Sequence, residues 1–70
     1  MSDFLQRLVD ERQQLQEKFD KLKTFIDLND VFNSLNQEQQ SLLKIQASAM
    51  FTYLCCLNER IFFLSPQQNN

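Results

Sequence analysis

Apolar residues near the start of the chain recur at steps of three and four. Leu5, Leu8, Leu15, Phe19, Leu22 and Ile26 fall on one helical face. With Leu5, Arg12, Phe19 and Ile26 at heptad position a, Leu8, Leu15 and Leu22 take position d. The result is a coiled-coil seam interrupted once, by Arg12. Phe4, Val9 and Phe25 widen the seam at its ends, and Asp10, Gln13, Gln14, Glu17, Asp20 and Lys21 populate the far side. The pattern predicts a helix over residues 3–26. A second seam runs through Leu43, Ala47, Met50, Leu54, Leu57, Ile61 and Leu64, with every position apolar, and predicts a helix over residues 37–64.

Between them lies "DLNDVFNSLN", where Asn and Asp cluster as helix stops and turn formers. Val31, Phe32 and Leu35 are expected to fold down and plug the open end of the hairpin. Asn36 is placed to cap the second helix, with Gln39 as reciprocal partner and Ser34 as the competing cap. Ser65 precedes Pro66, which biases it away from helix, so 65–70 is expected to be a disordered polar tail. The predicted fold class is all-α: a two-helix antiparallel hairpin over residues 1–64, forming one domain. Each helix would be about 35–40 Å long.

The stretch "MFTYLCCLNERIFFL", Met50 to Leu64, is greasier than one seam requires. A membrane span needs about 20 apolar residues. Asn58, Glu59 and Arg60 interrupt this one, so no membrane association is expected, and the N-terminus has no apolar block of a signal peptide. Phe51, Tyr53, Cys55, Phe62 and Phe63 lie off the main seam, where an isolated hairpin would leave them in water. Such a patch marks an interface, and a chain of 70 residues is short enough to need a staple. A homo-oligomeric helical bundle is therefore expected, packed through the second helix at Met50, Phe51, Leu54, Leu57, Ile61, Phe62 and Phe63. A different protein partner on the same face is the alternative.

Composition narrows the chemistry. Glycine is absent and proline occurs once, which disfavours tight hairpins and sheet corners; histidine, the commonest general base and metal ligand, is absent. A net charge of −2 argues against a nucleic-acid binder. Adjacent Cys55 and Cys56 point about 100° apart on a helix and do not bridge to each other. They are too few for a zinc site, and read as small core or interface residues in a reducing cytosol, with a redox role as the alternative. No serine–base pair, phosphate-cradling loop or carboxylate cluster is present. Neither an enzyme, a metal nor a cofactor is expected.

Binding is the more promising class. Arg12 on the apolar seam either sets register, with its head at solvent, or contacts an anion between protomers. Arg7, Lys18, Lys21 and Lys23 decorate the same helix, with acids interleaved. Arg60 follows Tyr53 by seven residues, and Gln46 precedes Tyr53 by seven, so the three form a polar line beside the second seam. A guanidinium near an aromatic suits stacking on a base while holding a phosphate; an interface ion pair is the plainer alternative. The candidate ligand residues are Arg60, Tyr53, Lys21, Lys18, Arg12 and Gln46.

"RLVDERQQLQEKFDKLKTFI", "FNSL" and "EQQSLLKIQASAMFTYLCCLNERI" together resemble a family of small uncharacterised bacteriophage proteins that includes a crAss-like phage member. The resemblance rests on Arg7, Glu11, Leu15, Lys18, Lys21, Leu22, Phe25 and Ile26 in the first helix. It continues through Phe32 and Leu35 in the turn and Gln40, Leu42, Leu43, Gln46, Met50, Tyr53, Leu57, Arg60 and Ile61 in the second helix. Gln14 replaces the more usual Glu, and the Cys-Cys pair and "FFL" make this second helix greasier. The resemblance implies a hairpin fold and a phage accessory protein in the cytoplasm of an infected bacterial host. Phage sponges that counter the CBASS and Thoeris defences share the architecture, though not a sequence signature with this chain. By that analogy the expected function is an oligomeric sponge. It would hold a cyclic nucleotide or ADP-ribose-type signal between protomers. The alternatives are an inhibitor or adapter docking on a host defence or phage protein, and a structural coiled-coil module or small chaperone.

Overall fold

The computed structural model describes residues 3–65, which form three helices joined by short non-helical breaks. Helix α1 spans Asp3–Leu28, a single-turn α2 spans Asp30–Ser34, and α3 spans Gln37–Leu64. α1 and α3 pack side by side along their length into a rod of 50 × 21 × 15 Å. The expected tail at 66–70 lies outside the described residues; Ser65 itself closes α3, its backbone N–H and hydroxyl both donating to the Ile61 carbonyl, at 2.9 and 2.6 Å.

α1 runs two residues beyond its expected end. Asp27 stays within it, its carboxylate 3.4 Å from the Lys23 ammonium one turn back. The break comes at Asn29, which turns extended (φ −101°, ψ 125°) and caps α2 by accepting from the Val31 N–H at 2.8 Å. Asn36 caps α3 in the same way, accepting from the Gln39 N–H at 2.8 Å. Ser34, the rival cap, donates instead to the Val31 carbonyl. The Gln40 amide reaches back to the Leu35 and Asn33 carbonyls, tying the connection to the start of α3.

The turn expected between the helices thus contains a helical turn of its own, and this delivers Phe32. That ring is buried and meets Phe25 edge-on at 6.0 Å. Leu35 is half-buried, while Val31 stays exposed beside Leu28. The plug is therefore Phe32 with part of Leu35. Val31 is not in it, because a five-residue helix can turn only one side toward the bundle.

The hairpin core is narrow. Leu8 and Leu15 of α1 meet Leu54 and Leu57 of α3, with Phe19, Met50 and Ile61 packed around them. Leu57 retains no exposed surface at all, which is worth about 1.5–3 kcal/mol for a side chain of that size. Ala47 is buried where a larger side chain would hold the helices apart. Arg12, at the break in the α1 seam, is half-buried and donates from Nη1 to the Asn58 side-chain oxygen at 3.2 Å.

Leu57→Ala is expected to destabilise the fold by about 2–5 kcal/mol in chemical denaturation. Leu28→Ala, at a residue 79% exposed, is expected to change it by less than about 0.5 kcal/mol.

Candidate functional site

An open groove of about 700 Å³ lies between the helices. α1 contributes Phe19, Lys23, Ile26 and Asp27; α3 contributes Lys44, Ala47, Ser48, Phe51 and Thr52. It exists because the seam residue facing α1 at this level is Ala47, which leaves the space its neighbours wall in. The aromatic wall is Phe19 against Phe51, ring centroids 5.9 Å apart and tilted by 42°. Two ammonium groups stand at the rim. Lys23 is held by Asp27, and Lys44 sits over the Phe32 ring at 5.9 Å from its centroid. Counting Asp27, the rim carries a net single positive charge. Ser48 and Thr52 supply hydroxyls, although the Thr52 hydroxyl donates to the Ser48 carbonyl at 3.1 Å. Aromatic surface, cations and hydroxyls in one cleft can take a flat, anionic small molecule.

The expected ligand residues are distributed differently. Arg60 lies over the Phe4 ring in the first turn of α1, 5.9 Å from the centroid. Lys18 and Lys21 lie about 20–25 Å further along α1 at about 1.5 Å per residue, so one chain does not bring them to Arg60. Tyr53 is part-exposed and Gln46 exposed, on the flank of α3 shared with Arg60 and away from the groove. Arg12, bonded to Asn58, sits on the opposite flank. Among the described residues, no group of three His, Cys, Asp or Glu side chains could hold a metal ion.

The expected interface residues also divide. Leu54 and Leu57 are not available to a second copy: both are buried in the hairpin core, because they face α1 directly. Met50 and Ile61 are half-buried against the same core. Phe51, Phe62 and Phe63 remain exposed. Phe51 walls the groove and Phe62 follows on the same flank of α3, while Phe63, its ring edge-on to Phe62 at 5.1 Å, diverges from that flank by about 100°. Cys55 and Cys56 are free thiols, both exposed. No helix among the described residues is long and apolar enough to cross a membrane.

The groove was missed at the sequence level for a physical reason. The four-residue spacing of Lys44, Ser48 and Thr52 puts them on one face of α3, but only the pairing of α3 with α1 sets that face beside Lys23. The available clue was Ala47, a small residue within an otherwise bulky seam.

A family model described as Sequestin matches residues 2–63. No curated protein and no solved structure gives a significant match.

Within one chain the Arg12 guanidinium is engaged by the Asn58 side chain at 3.2 Å. Arg12→Leu is expected to keep or raise the melting temperature, since it completes the apolar seam. A drop of several degrees in a thermal melt would show instead that the guanidinium stabilises the hairpin.

Proposed function

The chain belongs to the Sequestin family, and from that premise we propose that it works by sequestration: a non-enzymatic, oligomeric sponge that binds a small nucleotide-type ligand and holds it intact. The family's name supports sequestration. The observation that carries the ligand class is the groove, with Phe19 and Phe51 as an aromatic wall and Lys23 and Lys44 at its rim. A purine-like ring fits against Phe51, and phosphate oxygens reach Lys44 and then Lys23, which exchanges Asp27 for the ligand. Charge-assisted hydrogen bonds of this kind are worth about 1.5–3 kcal/mol each, enough for useful affinity from a shallow site.

The biological reading follows the sequence resemblance. A phage accessory protein that removes an immune nucleotide from the cytoplasm of the infected host needs no turnover. It needs copy number and affinity. A single chain does not gather Arg60, Tyr53, Gln46, Lys18 and Lys21 into one site, so any contribution from them requires a second copy. The second reading is a protein inhibitor that docks apolar surface on a host defence or phage protein. The exposure of Phe62 at 57% and Phe63 at 72% favours it.

Titration calorimetry against cyclic dinucleotides and ADP-ribose-type compounds separates these readings. The sponge reading expects binding by the wild-type protein and recovery of the ligand chemically unchanged. Lys44→Ala and Phe51→Ala should each weaken binding about tenfold or more, equivalent to about 1.4 kcal/mol. Absence of binding across the panel, or conversion of the ligand, contradicts it.

A further inference from the structure

α3 carries apolar residues on the side that α1 covers and again on a side that α1 leaves bare. An apolar helix face without a partner marks an interface. The uncovered side is ordered. Leu42, Ala49, Cys56 and Phe63 recur every seven residues, with Ile45 beside them, so they form a stripe along the outside of α3. All five are exposed. The polar line Gln46, Tyr53 and Arg60 borders this stripe on its α1 side.

We infer that this stripe is the contact for a second copy of the chain, with the two α3 helices antiparallel about a two-fold axis between Thr52 and Tyr53. This rests on the oligomeric part of the sponge reading and not on the identity of its ligand. The stripe is self-complementary about that point, as an isologous contact must be. Large residues stand at both ends, Leu42 and Ile45 at one and Phe63 at the other. Small residues, Ala49 and Cys56, stand at equal distances from the centre and let the helices approach closely. Ala49 then faces the partner's Cys56, and Leu42 the partner's Phe63. A shallow hollow of about 410 Å³ lined by Cys56, Glu59, Arg60, Phe63 and Leu64 lies where the partner's Leu42 and the partner's Ile45 would enter.

Charge selects the antiparallel arrangement. A parallel pair sets Arg60 against the partner's Arg60 and Glu59 against the partner's Glu59. The antiparallel pair sets Arg60 level with the partner's Ile45 and beside the partner's Gln46, its stem on apolar surface and its head already turned over Phe4. The available area suits a dimer. Leu42, Ile45, Tyr53 and Phe63 are 56, 63, 44 and 72% exposed. Taking about 200 Å² for a large side chain, they hold on the order of 500 Å², and Gln46, Ala49, Cys56 and Arg60 extend it toward the roughly 800 Å² per partner of a stable interface.

Light scattering on the purified full chain tests the surface. The wild type is expected at twice the chain mass of 8.4 kDa, and Ala49→Glu at the chain mass with its helical circular dichroism retained. Gln13→Glu, on the outer side of α1, should leave the dimer unchanged. A monomeric wild type, or an Ala49→Glu variant that remains dimeric, overturns the assignment. Single-cysteine proteins test the direction. One carries Cys55→Ser alone and keeps Cys56; the other carries Ala49→Cys with Cys55→Ser and Cys56→Ser. Under mild oxidation the antiparallel pairing expects a covalent dimer when the two are mixed, and little from either alone. Self-crosslinking of each, or no crosslink in the mixture, overturns the antiparallel register.

Discussion

The hairpin depends on the seam where Leu8 and Leu15 meet Leu54 and Leu57. There four large apolar side chains close on one another, with Phe19, Met50 and Ile61 packed around them, and the rest of the hairpin is placed by that contact. Pairing α1 with α3 along this line brings Phe19 level with Phe51 and Arg12 level with Asn58. It opens the groove at Ala47 on one flank and leaves the outer stripe of α3 on the other. A core this narrow stabilises a small domain only marginally, which is why the surplus apolar surface on α3 matters to the same energy balance.

α1 and α3 divide the work unevenly. α1 is a conventional amphipathic helix whose outer side is charged and solvated. α3 is apolar beyond what its contact with α1 uses. The two flanks of α3 differ in chemistry: one holds Lys44 and the hydroxyls of Ser48 and Thr52 beside an aromatic wall, the other aliphatic and small residues with few charges. Binding on the first and self-association on the second do not compete for the same residues, so a copy can hold a ligand and a partner together.

Much of this was legible in the sequence. The three-four spacing located both helices, because burial against one partner demands it, and Asn36 announced itself as a cap. The end of α1 lies two residues beyond the sequence expectation, because the chain breaks at the capping Asn29 and not at Asp27. Val31 was assigned to the plug on hydrophobicity alone, whereas the direction of the α2 turn admits Phe32. Leu54 and Leu57 were counted toward an interface between copies, although the seam periodicity already committed them to the hairpin. The groove was not legible, since it belongs to neither helix. Of the exposed aromatics, Phe51 and Phe62 share a flank of α3, whereas Phe63, next to Phe62 in sequence, turns about 100° away from it.

The central claim is that this protein acts by holding a small ligand in an assembly of copies and not by transforming it. Native mass spectrometry of the full chain isolated from cells making the proposed ligand tests that directly. The account predicts an even number of chains carrying intact nucleotide, up to one per groove, released unchanged on denaturation. A ligand-free single chain, or an assembly that releases only breakdown products, would contradict it.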